Sequence, residues 1–154
     1  MLKKTWNSKK GFTLTELIMV ILLLGIMAVV GTPLSSPTGI GLEAAAKKVA
    51  LDIAYARNLA SITGTNHGLS FTANSPYFIY KQSLGSVIND PLTTKPFSEN
   101  FSTFKNVHAS SSLQVEFDTD GRPVLGGGQT ITLTNGTTNK VITITANTGL
   151  AIIN

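Results

Sequence analysis

Cysteine is absent from the 154 residues, which excludes a disulfide framework, a thiolate metal site and a thiol nucleophile. Histidine occurs only at His67 and His108, with no His-x-x-x-His and no carboxylate at metal-ligand spacing from either. No Gly-x-Ser-x-Gly provides a nucleophile elbow. The triple glycine Gly126-Gly127-Gly128 lacks the Lys-Ser/Thr and the helix of a phosphate loop, and reads as a turn. Asp118-x-Asp120-Gly121 starts as a calcium loop does, but the later oxygen ligands and the closing glutamate are missing. A β-turn with Asp and Gly in their preferred places accounts for it. These gaps leave no catalytic constellation and no cofactor site, and the chain reads as a non-enzyme.

Charge is also scarce, and its imbalance is local. Lys3, Lys4, Lys9 and Lys10 all precede Phe12, and from Phe12 onward eight basic side chains face eight acidic ones. The net +4 of the chain therefore belongs to its first residues. Such a cluster ahead of an apolar run is what the positive-inside tendency places on the cytoplasmic side. The remainder has no overall attraction for polyanions.

What is present is one long apolar run. Phe12 to Val30 is helix-compatible and nineteen residues long, within the ~17–25 that span a bilayer. Glu16 interrupts its head, and a carboxylate in lipid costs roughly 2.5 kcal/mol or more at the bilayer centre. A secretory signal peptide would explain the lysines and the run but not Glu16. A plain signal anchor would explain their lengths, but leaves Gly11-Phe12 and Glu16 without purpose.

Lys9-Lys10-Gly11-Phe12-Thr13-Leu14-Thr15-Glu16-Leu17, followed by the apolar run, resembles the processing site of type IV prepilins and type II secretion pseudopilins. The resemblance implies that a prepilin peptidase cuts after Gly11 and N-methylates Phe12. It implies that Glu16 pairs with the Phe12 amine of the adjacent subunit during filament assembly. A paired buried charge is tolerable where a lone one is not, and the positive end of its own helix favours Glu16 as well. The alternative is that Glu16 sits in the headgroup layer. The implied partners are other pilin or pseudopilin subunits, the prepilin peptidase and an inner-membrane assembly platform. The implied location is the bacterial inner membrane, single-pass, with the globular head in the periplasm.

Pro33, Ser35, Ser36, Pro37, Gly39 and Gly41 crowd nine residues with helix breakers. The expected organisation is therefore a leader over 1–11, a transmembrane and filament-core helix over 12–31, a break over 32–41 and a globular domain over 42–154. Leu42, Ala45, Ala46, Val49, Ile53, Ala56 and Ala60 recur at helical spacing, with Glu43, Lys47, Asp52 and Asn58 on the opposite face and a stop at Gly64. Alternating segments then predict strands at 67–71, 77–81, 113–117, 122–125, 130–133, 141–144 and 150–153, with a hairpin at Asn135-Gly136. Residues 84–104 read as a long irregular loop. Its Phe97, Phe101 and Phe104 either present a partner surface or fold over the sheet edge, the second being favoured.

The fold class is α+β: an N-terminal hydrophobic helix, then an amphipathic helix packed on an antiparallel β-sheet head. Tyr55 to Ala60, Phe117-Asp118 with Gly121, and the closing Thr148-Gly149 strand resemble GspH/FimT-type minor pseudopilins and minor pilins. Some members of that group take up DNA through a basic C-terminal stretch. Here no Lys or Arg follows Lys140, so nucleic-acid binding is the weaker alternative. An exported enzyme held by an anchor has no motif behind it.

Overall fold

The structure is a computed structural model and describes residues 11–30 and 37–154. The leader before Gly11 and the part of the expected break at 32–36 lie outside the described residues. The chain divides into two compact units, Met1–Leu34 and Ser35–Asn154.

In the first unit, α1 runs from Leu14 to Val30. Its sequence has no proline and one charge, Glu16, in the first turn. Its large side chains from Leu14 to Met27 are all exposed. At 1.5 Å per residue its 17 residues extend about 26 Å, against a hydrocarbon core of about 30 Å. Among the described residues, no helix is long and apolar enough to cross a membrane. The helix expected over 12–31 thus starts two residues later, because Thr13 caps it.

The second unit is built around α2, Pro37–Thr63. The break expected to last to Gly41 therefore does not: residues 37–41 are helical. Proline at a first helical position gives up an amide that has no intrahelical acceptor anyway, and its fixed φ suits the helix. Gly41 is inside the helix for a packing reason. A Cβ there would lie 2.8 Å from the carbonyl oxygen of Phe104, at the end of a 3₁₀ turn spanning Ser102–Phe104. The helix ends at Gly64, whose φ of +62° only glycine adopts without strain.

Nine strands follow: β1 His67–Phe71, β2 Phe78–Lys81, β3 Ser83–Val87, β4 His108–Ala109, β5 Leu113–Phe117, β6 Pro123–Leu125, β7 Thr130–Thr134, β8 Asn139–Ile144 and β9 Ala151–Ile153. They form two antiparallel sheets, in the orders β3-β2-β1-β5-β6 and β4-β7-β8-β9. Helix α2 packs on strands of both. Leu42, Ala45, Ala46, Val49, Ile53, Ala56 and Ala60 face the strands and are at most 3 % exposed. Alanines at these positions let the helix axis lie close to the sheets. The inner faces supply Leu69, Phe71, Ile79, Val115 and Phe117 from one sheet and Ile131, Leu133, Ile142 and Ile144 from the other. Burying a side chain of this size stabilises the fold by about 1.5–3 kcal/mol before entropy is counted.

Strand β1 is central and buried along its whole length. Opposite the helix its face carries Gly68, paired with Tyr80 of β2 and Glu116 of β5. The Tyr80 ring lies on Gly68 so closely that a Cβ there would be 2.6 Å from it. The Tyr80 hydroxyl donates to Glu116 Oε2 at 3.0 Å, and Asn66 Nδ2 donates to Oε1 at 2.9 Å. Burial and this carboxylate push the Tyr80 phenol up.

Residues 84–104 are more ordered than expected. The turn between β2 and β3 uses Gln82 at φ +61°, with a bulge at Tyr80/Lys81. Isolated bridges then join Asn89 to Pro96 and Tyr77 to Glu99. Phe97 and Phe101 enter the core and Phe104 packs partly against it. Of the two readings of these aromatics, the loop folded onto the domain is the one observed.

Candidate processing and assembly site

Gly11, Phe12 and Thr13 precede the first turn of α1, and all are exposed, Phe12 by 84 %. Thr13 is the N-cap. Its Oγ1 accepts the backbone N–H of Glu16 at 3.3 Å, and its carbonyl accepts Leu17 N–H at 3.2 Å. Thr13 Oγ1 also lies 3.2 Å from Thr15 Oγ1. Thr13-Leu14-Thr15-Glu16 is therefore one half of a capping box. In the full box the N3 carboxylate also reaches back to the N-cap amide. Among the described residues the Glu16 carboxylate has no such bond and no ion pair. It is exposed, in the first turn, where unpaired amides and the helix dipole favour a negative charge.

The box was legible in the sequence and is a signal the motif reading passes over. Phe12 and Leu17 even occupy the N′ and N4 positions of a hydrophobic staple. With Phe12 this exposed, the staple is not closed. What the geometry leaves available among the described residues is an unpaired carboxylate, an exposed Phe12 and an apolar helix whose large side chains are exposed from Leu14 to Met27.

The other sequence candidates resolve into structure. His67 is buried, and its Nδ1 lies 2.9 Å from the Thr65 carbonyl. His108 is on the short strand β4, with Nδ1 3.2 Å from Asn106 O. Asp118 Oδ1 accepts the amides of Asp120 and Arg122 at 3.0 and 2.8 Å, closing a turn that ends at Gly121 with φ +74°. Glu116 bonds Tyr80 and Asn66, so it and Asp118 do not act together. Gly126 and Gly128 take positive φ, as a turn requires. Among the described residues, no three His, Asp or Glu side chains converge as a metal ion needs.

One expectation for α2 is corrected. Asp52 is not on the solvent face but 7 % exposed. Tyr77 donates its hydroxyl to Asp52 Oδ2 at 2.6 Å, and Lys48 Nζ donates to Oδ1 and Oδ2 at 2.8 and 2.6 Å. Lys48 also reaches Glu99 at 3.5 Å and sits 5.6 Å from the Phe97 ring centroid. Burial, then Asp52, push the Tyr77 phenol far up. The signal was arithmetic: Asp52 is seven residues after Ala45, two turns along the same buried stripe. Arg57 was singled out only as part of a motif; its Nε donates to the Gly121 carbonyl at 3.1 Å, tying α2 to the β5–β6 turn.

The prokaryotic N-terminal methylation motif, as defined for its family, matches residues 6–32. No curated protein matches the sequence. Two crystal structures of the type IV minor pilin FimU from Pseudomonas aeruginosa match the fold, each with a TM-score of 0.54. They are 15 and 19 % identical to this chain, cover 73 % of it, and are themselves covered over 92 and 87 % of their lengths. The chain joins a prepilin-type N-terminus to a minor-pilin fold.

The pilin-like head gives the basic residues near the C-terminus a structural partner. Lys140, on β8, lies 3.1 Å from Glu43 of α2, and Lys47 lies 3.6 Å from the same carboxylate. Lys140 foremost, and Lys47 less, hold the Glu43 carboxyl below the usual range. The closing strand β9 carries no cation.

Proposed function

We propose that the chain is a minor pilin or minor pseudopilin. Prepilin peptidase removes residues 1–11 by cutting after Gly11 and methylates the new amine of Phe12. Residues 12–31 then hold the subunit in the inner membrane and, later, in the filament core, among other pilin subunits delivered by the assembly platform. The head, with α2 and both sheets, lies in the periplasm and is a structural body rather than an enzyme. The observation that carries this reading is Glu16. It is a carboxylate without a partner among the described residues, at the head of an otherwise uncharged apolar helix whose large side chains are exposed from Leu14 to Met27, four residues after Phe12, the proposed new terminus. In the filament it would pair with a neighbour's Phe12 amine, offsetting its desolvation.

Mass spectrometry of the mature N-terminus tests processing: methyl-Phe12 is the expected first residue, and an intact Met1 or a cut beyond Val30 refutes it. Substitutions at Glu16 test assembly. Glu16→Gln keeps the side-chain shape and the backbone amide that the cap uses, but loses the charge. Both it and Glu16→Ala should be cleaved normally and fail to enter filaments. Normal incorporation of Glu16→Gln would show that the charge does not drive assembly. Binding to DNA has no observation in its favour, since Lys140 is engaged by Glu43 and nothing basic follows it.

A further inference from the structure

We infer that Thr13 is a positioning residue for processing: its hydroxyl stops α1 short of the Gly11–Phe12 bond and so presents that bond to the peptidase as open chain. The inference rests on the proposed cleavage after Gly11. Hydrolysis there adds one water across the Gly11–Phe12 peptide, leaving a carboxylate on Gly11 and an amine on Phe12. A peptide unit inside a helix has its carbonyl engaged by the amide four residues on and its faces crowded by neighbouring turns. The first carbonyl engaged in α1 is that of Thr13, by Leu17 N–H. The carbonyls of Gly11 and Phe12 come before it, and both residues are exposed coil.

Three properties assign the stop to the side chain at 13. The residue is outside the helix while its carbonyl already accepts the first helical bond, which is the position of an N-cap. Its Oγ1 takes the Glu16 amide, one of the donors that a helix start leaves unpaired. And the residues that follow, Leu14 to Leu24, are uninterrupted by glycine or proline, while the nearest upstream glycine, Gly11, lies two residues before the cap rather than at it. The remaining hydroxyl neighbour, Thr15 Oγ1, is inside the first turn and cannot cap a helix that already contains it.

The chemistry at Glu16 and at Thr13 is thereby divided. Glu16 contributes only its backbone amide to the cap, which leaves its carboxylate for assembly. Thr13 contributes an acceptor oxygen, which is the property to vary. Thr13→Val has nearly the same shape and branching but no oxygen. Thr13→Ser and Thr13→Asn change the shape and keep an acceptor, both being good N-caps.

The test uses the full-length precursor in detergent with purified prepilin peptidase, following release of residues 1–11 by mass. Thr13→Val should slow cleavage about fivefold, the equilibrium factor that corresponds to one lost cap, while Ser and Asn stay within about twofold of Thr. Amide exchange at Thr15 in the same uncleaved chains should slow in the Val variant alone, because a helix that extends upstream engages that amide with the Gly11 carbonyl. If Val is cleaved like Thr while Ser and Asn are slow, the peptidase reads side-chain shape and the inference fails. It fails also if all three variants slow alike, or if exchange at Thr15 is the same in all of them. If the unsubstituted precursor is not cut after Gly11, it is the proposed function that fails, and that result is read before any variant is compared.

Discussion

Removing the Asp52 carboxylate should uncouple α2 from the segment that leads into β2. Asp52→Ala withdraws the acceptor from Tyr77, whose side chain is fully buried, at a hydroxyl–carboxylate distance of 2.6 Å. An orphaned buried hydroxyl costs about 1–3 kcal/mol. The ion pair with Lys48 adds less. Lys48 keeps 35 % side-chain exposure and has Glu99 at 3.5 Å as a second partner, so its share is at most about 1 kcal/mol. The expected loss is about 1–4 kcal/mol, a large part of the stability of a domain this size. Tyr77→Phe should cost about 1–2 kcal/mol, because Asp52 keeps its lysine. The double variant should then cost about 1–3 kcal/mol less than the two losses together, since either change alone already breaks the bond they share. Asp52→Asn, which keeps a neutral acceptor, should recover part of the loss. Urea unfolding of residues 35–154, which hold the whole core cluster, would measure this. The Asp52→Ala midpoint should fall by about 0.5–2 M for a slope near 2 kcal/mol/M. Strict additivity of the two single changes would show that the bond does not contribute to folding.

The glycines of α2 should respond in opposite directions. Gly39→Ala meets nothing within 4 Å and should stabilise the head by up to about 1 kcal/mol, whereas Gly41→Ala should destabilise it, by about 1–3 kcal/mol against the Phe104 carbonyl; thermal melts of the two would separate packing from helix propensity. Gly68→Ala should lift the Tyr80 ring off β1 and break its bond to Glu116, lowering the melting temperature by several degrees; an unchanged melt would mean the ring does not rest on the strand. In an alkaline titration followed by tyrosinate absorbance, Tyr77 and Tyr80 should stay protonated until the head unfolds. Their folded pKa values are raised above the unfolded value of about 10, so their contribution is full below pH 10 and is lost as pH rises beyond it. Smooth titration of all three tyrosines in a still-folded head would contradict their burial.

Much of the head could be read from residue pattern because pattern and burial coincide there. The apolar stripe of α2 from Leu42 to Ala60, the strand at 67–71 and the alternation at 113–117 each bury one face, and a period of 3.6 or 2 reports that directly. The pattern was blind where structure depends on a single unusual conformation or on distant partners. Strand β3 follows a turn held by Gln82 at positive φ, with no glycine or asparagine to announce it. Strand β4 is two residues long and exists through pairing with β7. Asp52 reads from the sequence as solvent-facing because a carboxylate ordinarily is, and the partner that lets it be buried, Tyr77, lies twenty-five residues away. The split into two sheets has the same cause: strand alternation says which face is buried, not which strands are neighbours.

At the N-terminus the difficulty is of another kind, because the same residues satisfy two requirements at once. Thr-x-x-Glu is what any helix wants at its start, and a run of leucine, isoleucine and valine behind it is what any apolar helix looks like. Taken alone, the cap would make Glu16 a local stabiliser and nothing more. The structure separates the two uses by atom. The cap takes the Glu16 amide nitrogen and the Thr13 hydroxyl, while the Glu16 carboxylate and the Phe12 nitrogen are not consumed by it. Closing the box would order the Glu16 side chain at a cost in rotamer entropy, and the open box leaves the carboxylate to the solvent. That it stays free on a helix otherwise without charge is why Glu16→Gln, rather than Glu16→Ala, is the informative substitution. Gln preserves the backbone amide that the cap uses and a side chain of the same shape, and removes only the charge, which the helix dipole and a neighbouring amine could both use.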